Sequence, residues 1–265
     1  METIFENWLT QFIATVGIIY LFGLAVWALN KAFYTLVGGR AHAFCIFTGA
    51  IGTPVHEIGH AIFCLIFGHK IVDMKLFTPH ATDGTLGYVS HSYNKRNIYH
   101  QIGNFFIGVG PVLFGSAVLL FLMYLLAPEM FDAVRDGIGS SSTLSFGAVK
   151  DAVVDIFKAV FNTADFENIR QWVFLVLAVF ITLHMSLSPA DMKGSVRGTV
   201  FIAILLLLVN VVLYLISKSV QRSFTTLLVS FGLAAAGFLS IAVVVAAVVC
   251  LIGVVIRLIS KILGR

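Results

Sequence analysis

Charge is what this chain has least of. Only 11% of its 265 residues are Asp, Glu, Lys or Arg, against 59% hydrophobic residues and a mean hydropathy of +0.98. A soluble domain carries about a quarter charged residues on its wetted surface, so this composition excludes that class and points to a polytopic membrane protein. The 17 basic residues outnumber the 13 acidic ones, but no basic run is interleaved with aromatics. That excludes a nucleic-acid footprint and assigns the excess to flanks and short loops beside a lipid bilayer. Cysteine is scarce too. Cys45, Cys64 and Cys250 lie in apolar stretches without CxxC spacing, which excludes a disulfide framework and a cysteine zinc site. Internal repeats and low-complexity linkers are absent, Ser140 to Ser142 being only a local break. From Met1 to Thr10 there is no Lys or Arg, so the first apolar span is expected to stay as an anchor rather than to be cleaved as a signal peptide.

What is present is apolar length. Six stretches approach the ~20 residues that cross a bilayer: roughly 11 to 36, 43 to 68, 101 to 127, 170 to 188, 199 to 217 and 225 to 256. The expected fold is all-α and multi-pass, with about six transmembrane helices. Six crossings put both termini on one side. Lys and Arg divide almost evenly between the two sides, but the acids of the long loop before residue 170 lighten the other side. The termini are therefore expected to be cytoplasmic. Between the second and third spans, Ile71 to Phe77 and Thr85 to Ser90 alternate around the turn signal Asp83-Gly84, as a small β-hairpin does. An unpaired edge of such a hairpin can take an extended peptide as a further strand. His80, His91 and His100, in or beside this loop, read as ordinary polar loop residues. From Pro128 to Asn168 the chain is polar. Phe146, Val149, Val153, Phe157, Val160 and Phe161 recur there at helical spacing opposite Lys150, Asp151, Asp155 and Lys158, the pattern of an amphipathic helix resting on the membrane or capping the bundle.

The second span contains the stretch that needs explaining, Thr53-Pro54-Val55-His56-Glu57-Ile58-Gly59-His60. Ionisable groups inside a membrane are costly unless paired or metal-bound. On a helix His56 and His60 are one turn apart on one face and can share a tetrahedral ion, zinc by the chemistry of the donors. Glu57 projects about 100° away from His56, too far to be a third ligand beside them and suited to act as a base on water.

Catalytic zinc takes three protein ligands. The HExxHxxGxxH continuation is excluded, because Phe63 and Ile66 stand at the required positions, and Glu2, Glu6, Glu129 and Glu167 all lie outside spans. The remaining carboxylate in the right half of the membrane is Asp191, in a turn bracketed by Pro189 and Gly194 after the fourth span. Non-helical backbone at such depth is tolerated where it lines a cavity. His184 is the rival ligand and otherwise a supporting residue. Asn104, Gly110 and Pro111 of the third span, with Gly110 at a depth similar to His60, and Ser188 are further candidates for supporting the site or contacting substrate. The Gly-Val-Gly-Pro run itself reads as close helix packing with a kink.

HEIGH in a membrane helix, a β-like loop after it, a glycine-proline element in the next span and the Pro189-Ala190-Asp191 turn together resemble the site-2 protease family of intramembrane zinc metalloproteases, over roughly residues 43 to 198. The resemblance implies one zinc ion held by His56, His60 and Asp191, with Glu57 as catalytic base. It also implies a membrane-protein substrate cut in or near its transmembrane helix, and a site opening towards the cytosol. The family's aspartate is followed directly by glycine, whereas Met192 follows Asp191 here. The expected organisation is a first anchor (1–42), a metalloprotease core (43–198) and C-terminal transmembrane helices (199–265). The other readings of membrane histidines are a zinc transporter or sensor, which would place ligands at several depths, and a non-catalytic protein that binds partner helices, which would dispense with Glu57.

Overall fold

A computed structural model of the protein describes residues 2–80, 84–137 and 145–262. The Asp83 half of the expected turn and the serine run 140–142 lie outside the described residues. The order is α1 (Glu2–Phe12), a π-helical turn (Ile13–Gly17), α2 (Ile18–Val37), a short 3₁₀ turn (Gly38–Arg40) and α3 (Ala41–Ile66). The strands β1 (Lys70–Lys75) and β2 (Tyr88–Ser92) follow, then α4 (Ile98–Leu126), α5 (Pro128–Gly137), α6 (Phe146–Asn162), α7 (Ile169–Leu183), α8 (Pro189–Ile216) and α9 (Lys218–Ile262).

Four helical stretches are long and apolar enough to cross a membrane: Ile4–Ile66, Ile98–Leu126, Pro189–Ile216 and Lys218–Ile262. They make this an α-helical membrane protein. The first stretch is broken at Gly38, whose φ of 64° is open to glycine but costly for other residues, and the chain there turns from α2 into α3. The remaining apolar helix, α7, has 15 residues. At 1.5 Å per residue it covers about 22 Å, short of a bilayer core of about 30 Å.

The fourth and fifth apolar stretches do not run antiparallel to one another. Met185 packs on Gly115, Asp191 and Ser195 on Gly108, and Gly198 on Phe105. Rising numbers on one segment therefore meet falling numbers on α4, straight through the break between α7 and α8. Along α3 the order rises on both sides: Phe180 lies against Gly52 and Asp191 against His60. The two helices form one interrupted path, parallel to α3 and antiparallel to α4. The boundary drawn at 198/199 falls inside α8.

The turn expected from Pro189 to Gly194 is helical for the same local reason that makes Asp191 available. Ser188 caps α8, its Oγ accepting from the Asp191 amide while the Asp191 carboxylate accepts from the Ser188 amide, and Pro189 sits at the first helical position. Serine, proline and an acid in that order start helices.

Two glycine contacts bring the helices together. A Cβ on Gly59 would lie 2.9 Å from the Gly110 carbonyl, and one on Gly108 would lie 2.6 Å from the Asp191 carbonyl. Only hydrogen fits there, so α3 and α8 both close onto α4. The main core runs along α2, α4, α7 and α9. Helix α6 lays its apolar face on the bundle, with Ile156 fully buried, so it is a packed element rather than one resting on the membrane. Gln11, Asn210 and Gln221 are buried and linked by hydrogen bonds among themselves and to Thr225. They knit α1, α8 and α9 together.

β1 and β2 pair antiparallel, Lys70 opposite Ser92 and Lys75 opposite Tyr88, with an irregularity between Ile71 and Asp73. Beyond the strands the segment runs back alongside α3. Phe77 and Leu86 reach Gly49, and Gly87 lies on Thr53 and Glu57.

Candidate metal centre

Helical spacing, the capping of α8 and the glycine contacts converge on one point. His56 Nε2 and His60 Nε2 are 3.1 Å apart. Asp191 places Oδ1 3.2 Å from the first of its partners, His60 Nε2, and Oδ2 3.8 Å from His56 Nε2. One ligand atom from each of the three lies within 4.8 Å of the others, and this is the one such group among the described residues.

The outer nitrogens explain why the inner ones face inward. His56 Nδ1 donates to the His184 carbonyl at 2.6 Å and His60 Nδ1 to the Ile107 carbonyl at 2.7 Å. A carbonyl only accepts, so both Nδ1 atoms carry the proton, and in the neutral rings that a metal requires both Nε2 atoms present lone pairs. Metal-ligating histidines are oriented in this way, the second nitrogen bound to a carbonyl or carboxylate. Two imine nitrogens and a carboxylate oxygen are a donor set that fits zinc with a position left for substrate or water. The helices supply the carbonyls: His184 ends α7, and Ile107 lies in α4 beside Pro111.

His184 is not among the converging groups. Thr48 Oγ1 donates to the Phe44 carbonyl at 2.8 Å and so accepts from His184 Nε2 at 3.0 Å, while Thr53 Oγ1 donates to Nδ1 at 3.3 Å. Its ring is clamped onto α3, and its carbonyl orients His56.

His56, His60 and Asp191 open into a cavity of about 510 Å³, which Glu57, Asn104, Ile107, Gly108, Ser188 and Gly194 also line. Glu57 is 5% exposed and has no ion pair with a basic residue among the described residues. Gly87 covers it, since a Cβ there would lie 2.9 Å from Glu57 Cγ. Asn104 donates weakly to Gln101 Oε1 at 3.3 Å and keeps an amide oxygen and an N–H for the cavity. Gly110 and Pro111 do not line it; they hold α4 against α3.

The far wall is the strand segment, with Thr85, Tyr88, Val89 and His91. His91 is therefore not an ordinary loop residue. Burial, with His69 and His60 nearby, pushes it down to about 4, and His69 is also held below its ordinary value by burial. Sequence spacing gave no sign of this, because the loop's path along α3 is set by tertiary contacts. Searched against known proteins, the chain matches no family model, no curated protein and no solved structure.

Proposed function

We propose that this protein is an intramembrane zinc metalloprotease that hydrolyses a peptide bond in or beside a transmembrane segment of another membrane protein. The observation that carries the reading is the inward convergence of His56 Nε2, His60 Nε2 and the Asp191 carboxylate, each nitrogen fixed by a carbonyl behind it, next to a buried Glu57. The resemblance of the HEIGH helix and its companions to site-2 proteases supports the same reading. A single ligand cluster at one depth favours hydrolysis over transport.

His56, His60 and Asp191 hold the ion, which when bound supplies Lewis acidity towards water and a peptide carbonyl. Glu57 takes the proton from the attacking water and returns it to the nitrogen of the leaving amine, since its carboxylate is in the cavity and no cation neutralises it. The Asn104 amide is placed to hold a substrate carbonyl. The cavity walls from β2 and the start of α8 admit water to a site otherwise enclosed by helices. An intact substrate helix shields its carbonyls, so the cut segment unwinds, and its freed backbone groups pair with the strand wall.

The crossings follow from the directions of the helices. α2, α3, α4, the interrupted α7–α8 path and α9 make five passes rather than six. The end bearing Lys70, Lys75, Lys95 and Arg96, towards which the cavity opens, is taken as the cytosolic one from the resemblance to site-2 proteases, because the basic residues divide almost evenly between the two ends.

The test is metal analysis together with cleavage of a co-expressed single-pass reporter protein. Wild type binds one zinc and cleaves. Glu57→Gln keeps the zinc and loses cleavage by at least about a hundredfold, the scale of a general base. Asp191→Ala loses both. Zinc retained in Asp191→Ala, or cleavage retained in Glu57→Gln, refutes the proposal.

A further inference from the structure

The strand wall of the cavity carries one imidazole, His91. Its state is set by a second histidine outside the cavity. His69 is 3% exposed, and its Nε2 lies 2.9 Å from the His100 carbonyl. A carbonyl cannot donate, so Nε2 holds the proton and the neutral ring has a bare Nδ1. That Nδ1 is 3.0 Å from His91 Nδ1, which must donate to it. His91 is therefore the Nδ1–H tautomer with a lone pair on Nε2, its other ring nitrogen.

The pair is held from behind. The His69 ring stacks on Tyr93 with centroids 4.6 Å apart, and the Tyr93 hydroxyl accepts from Arg197 at 2.8 Å. Arg197 is on α8, less than two turns beyond Asp191. One chain of contacts thus fixes β2 relative to the helix that supplies the carboxylate.

Most polar side chains of the cavity are already engaged. The Tyr88 hydroxyl donates to Asp73, and Ser188 and Asp191 are tied into the cap of α8. A peptide lying extended in the cavity brings N–H groups that give up their own water as it docks, and each needs an acceptor. We propose that His91 is a substrate-positioning residue, its Nε2 accepting a hydrogen bond from one backbone N–H of the peptide beside the scissile bond. This rests on the hydrolase reading. Because burial keeps the ring neutral, the acceptor is present at ordinary pH. A consequence for specificity follows: proline or an N-methylated residue is disfavoured at one substrate position, because it has no N–H to give.

The test uses the full-length zinc-loaded protein in detergent and short apolar quenched-fluorescence peptides, each N-methylated at one position. Long-range proton–nitrogen spectra of histidine-labelled protein are expected to show His91 as the Nδ1–H tautomer, and His69→Phe to abolish that preference. His91→Phe is expected to raise KM about fivefold to tenfold, the scale of one hydrogen bond, with kcat within about twofold and the zinc content unchanged. His91→Gln, which keeps an acceptor, recovers most of the loss. One N-methylated position is expected to be penalised by wild type and not by His91→Phe. An Nε2–H tautomer overturns the inference, as does a fall in kcat at constant KM, or a second equivalent of metal that His91→Phe loses. If wild type and Glu57→Gln are equally inert on every peptide, the hydrolase reading falls and takes this inference with it. If wild type is active and His91→Phe is unchanged in KM, this inference falls alone.

Discussion

At the scale of single residues, a backbone carbonyl at the end of α7 aims His56, and a side chain places that carbonyl. His184 grips Thr48 and Thr53 through both ring nitrogens and presents its own oxygen to His56 Nδ1. The ring touches no group of the metal set, yet it fixes the depth at which α7 stops. His184→Phe fills the space but removes the imidazole from both hydroxyls, leaving Thr48 only its bond to the Phe44 carbonyl region of α3. Loss of such an outer support weakens metal binding by about tenfold to a hundredfold. Competition with a zinc-binding dye is expected to show a drop in that range while the stoichiometry stays at one. The pairing of His56 and His60 was legible in the sequence, because i and i+4 share a helix face wherever that helix sits. Asp191 was legible as an available acid, but its local state was not: Ser188 and Pro189 make the expected turn the first turn of α8. His91 was not legible, since 22 residues separate it from His69 and no periodicity links them.

At the scale of elements, the strand pair is held to the bundle by histidines that burial keeps neutral. His91 lies at about 4 against an ordinary 6.5, and His69 is shifted in the same direction. When the pair undocks, both rings return to water and to their ordinary value, so the open state binds more protons below about pH 6.5. Docking is thus at full strength above 6.5 and weakens as the pH falls towards about 4. Hydrogen exchange, corrected for intrinsic rates, is expected to show the amides of β1 and β2 less protected at pH 5 than at pH 7.5. Those in the middle of α4 should change little, and His91→Gln should reduce the pH dependence. The alternation of apolar and polar residues indicated two strands, and Gly84, with a φ of 75°, marked where the backbone needs glycine's freedom. Where the strands lie was another matter. Their path depends on Phe77 and Leu86 fitting against Gly49, and on Gly87 lying over Glu57, contacts that no local pattern encodes.

At the scale of the whole molecule, direction matters more than length. α9 has 45 residues, about 68 Å of helix, and it runs parallel to the α1–α2 helix: Gly232 meets Ala14 and Gly253 meets Phe33. The first and last described residues therefore lie at opposite ends of the bundle, not at the same end as an even number of passes requires. Single cysteines at Glu6 and Lys261, in a background lacking the three native cysteines, are expected to react with a membrane-impermeant maleimide from opposite faces of sealed vesicles. Labelling of both from one face would restore the six-pass arrangement. The buried Gln11, Asn210 and Gln221 belong to this scale as well, since they join helices nearly 200 positions apart. Amides so far apart along the chain give no hint of their partners until the helices are aligned.

By itself the sequence determined the solvent, the class of structure and the chemistry open to His56, Glu57 and His60. These depend on composition and on spacing within one helix, and both survive any arrangement of the rest. Only the tertiary structure decided which acid meets the histidines, which carbonyls orient them, which way the helices run and what covers Glu57. Each of those is a contact between distant segments, fixed where glycine lets two backbones approach, and short-range pattern carries no information about such pairings.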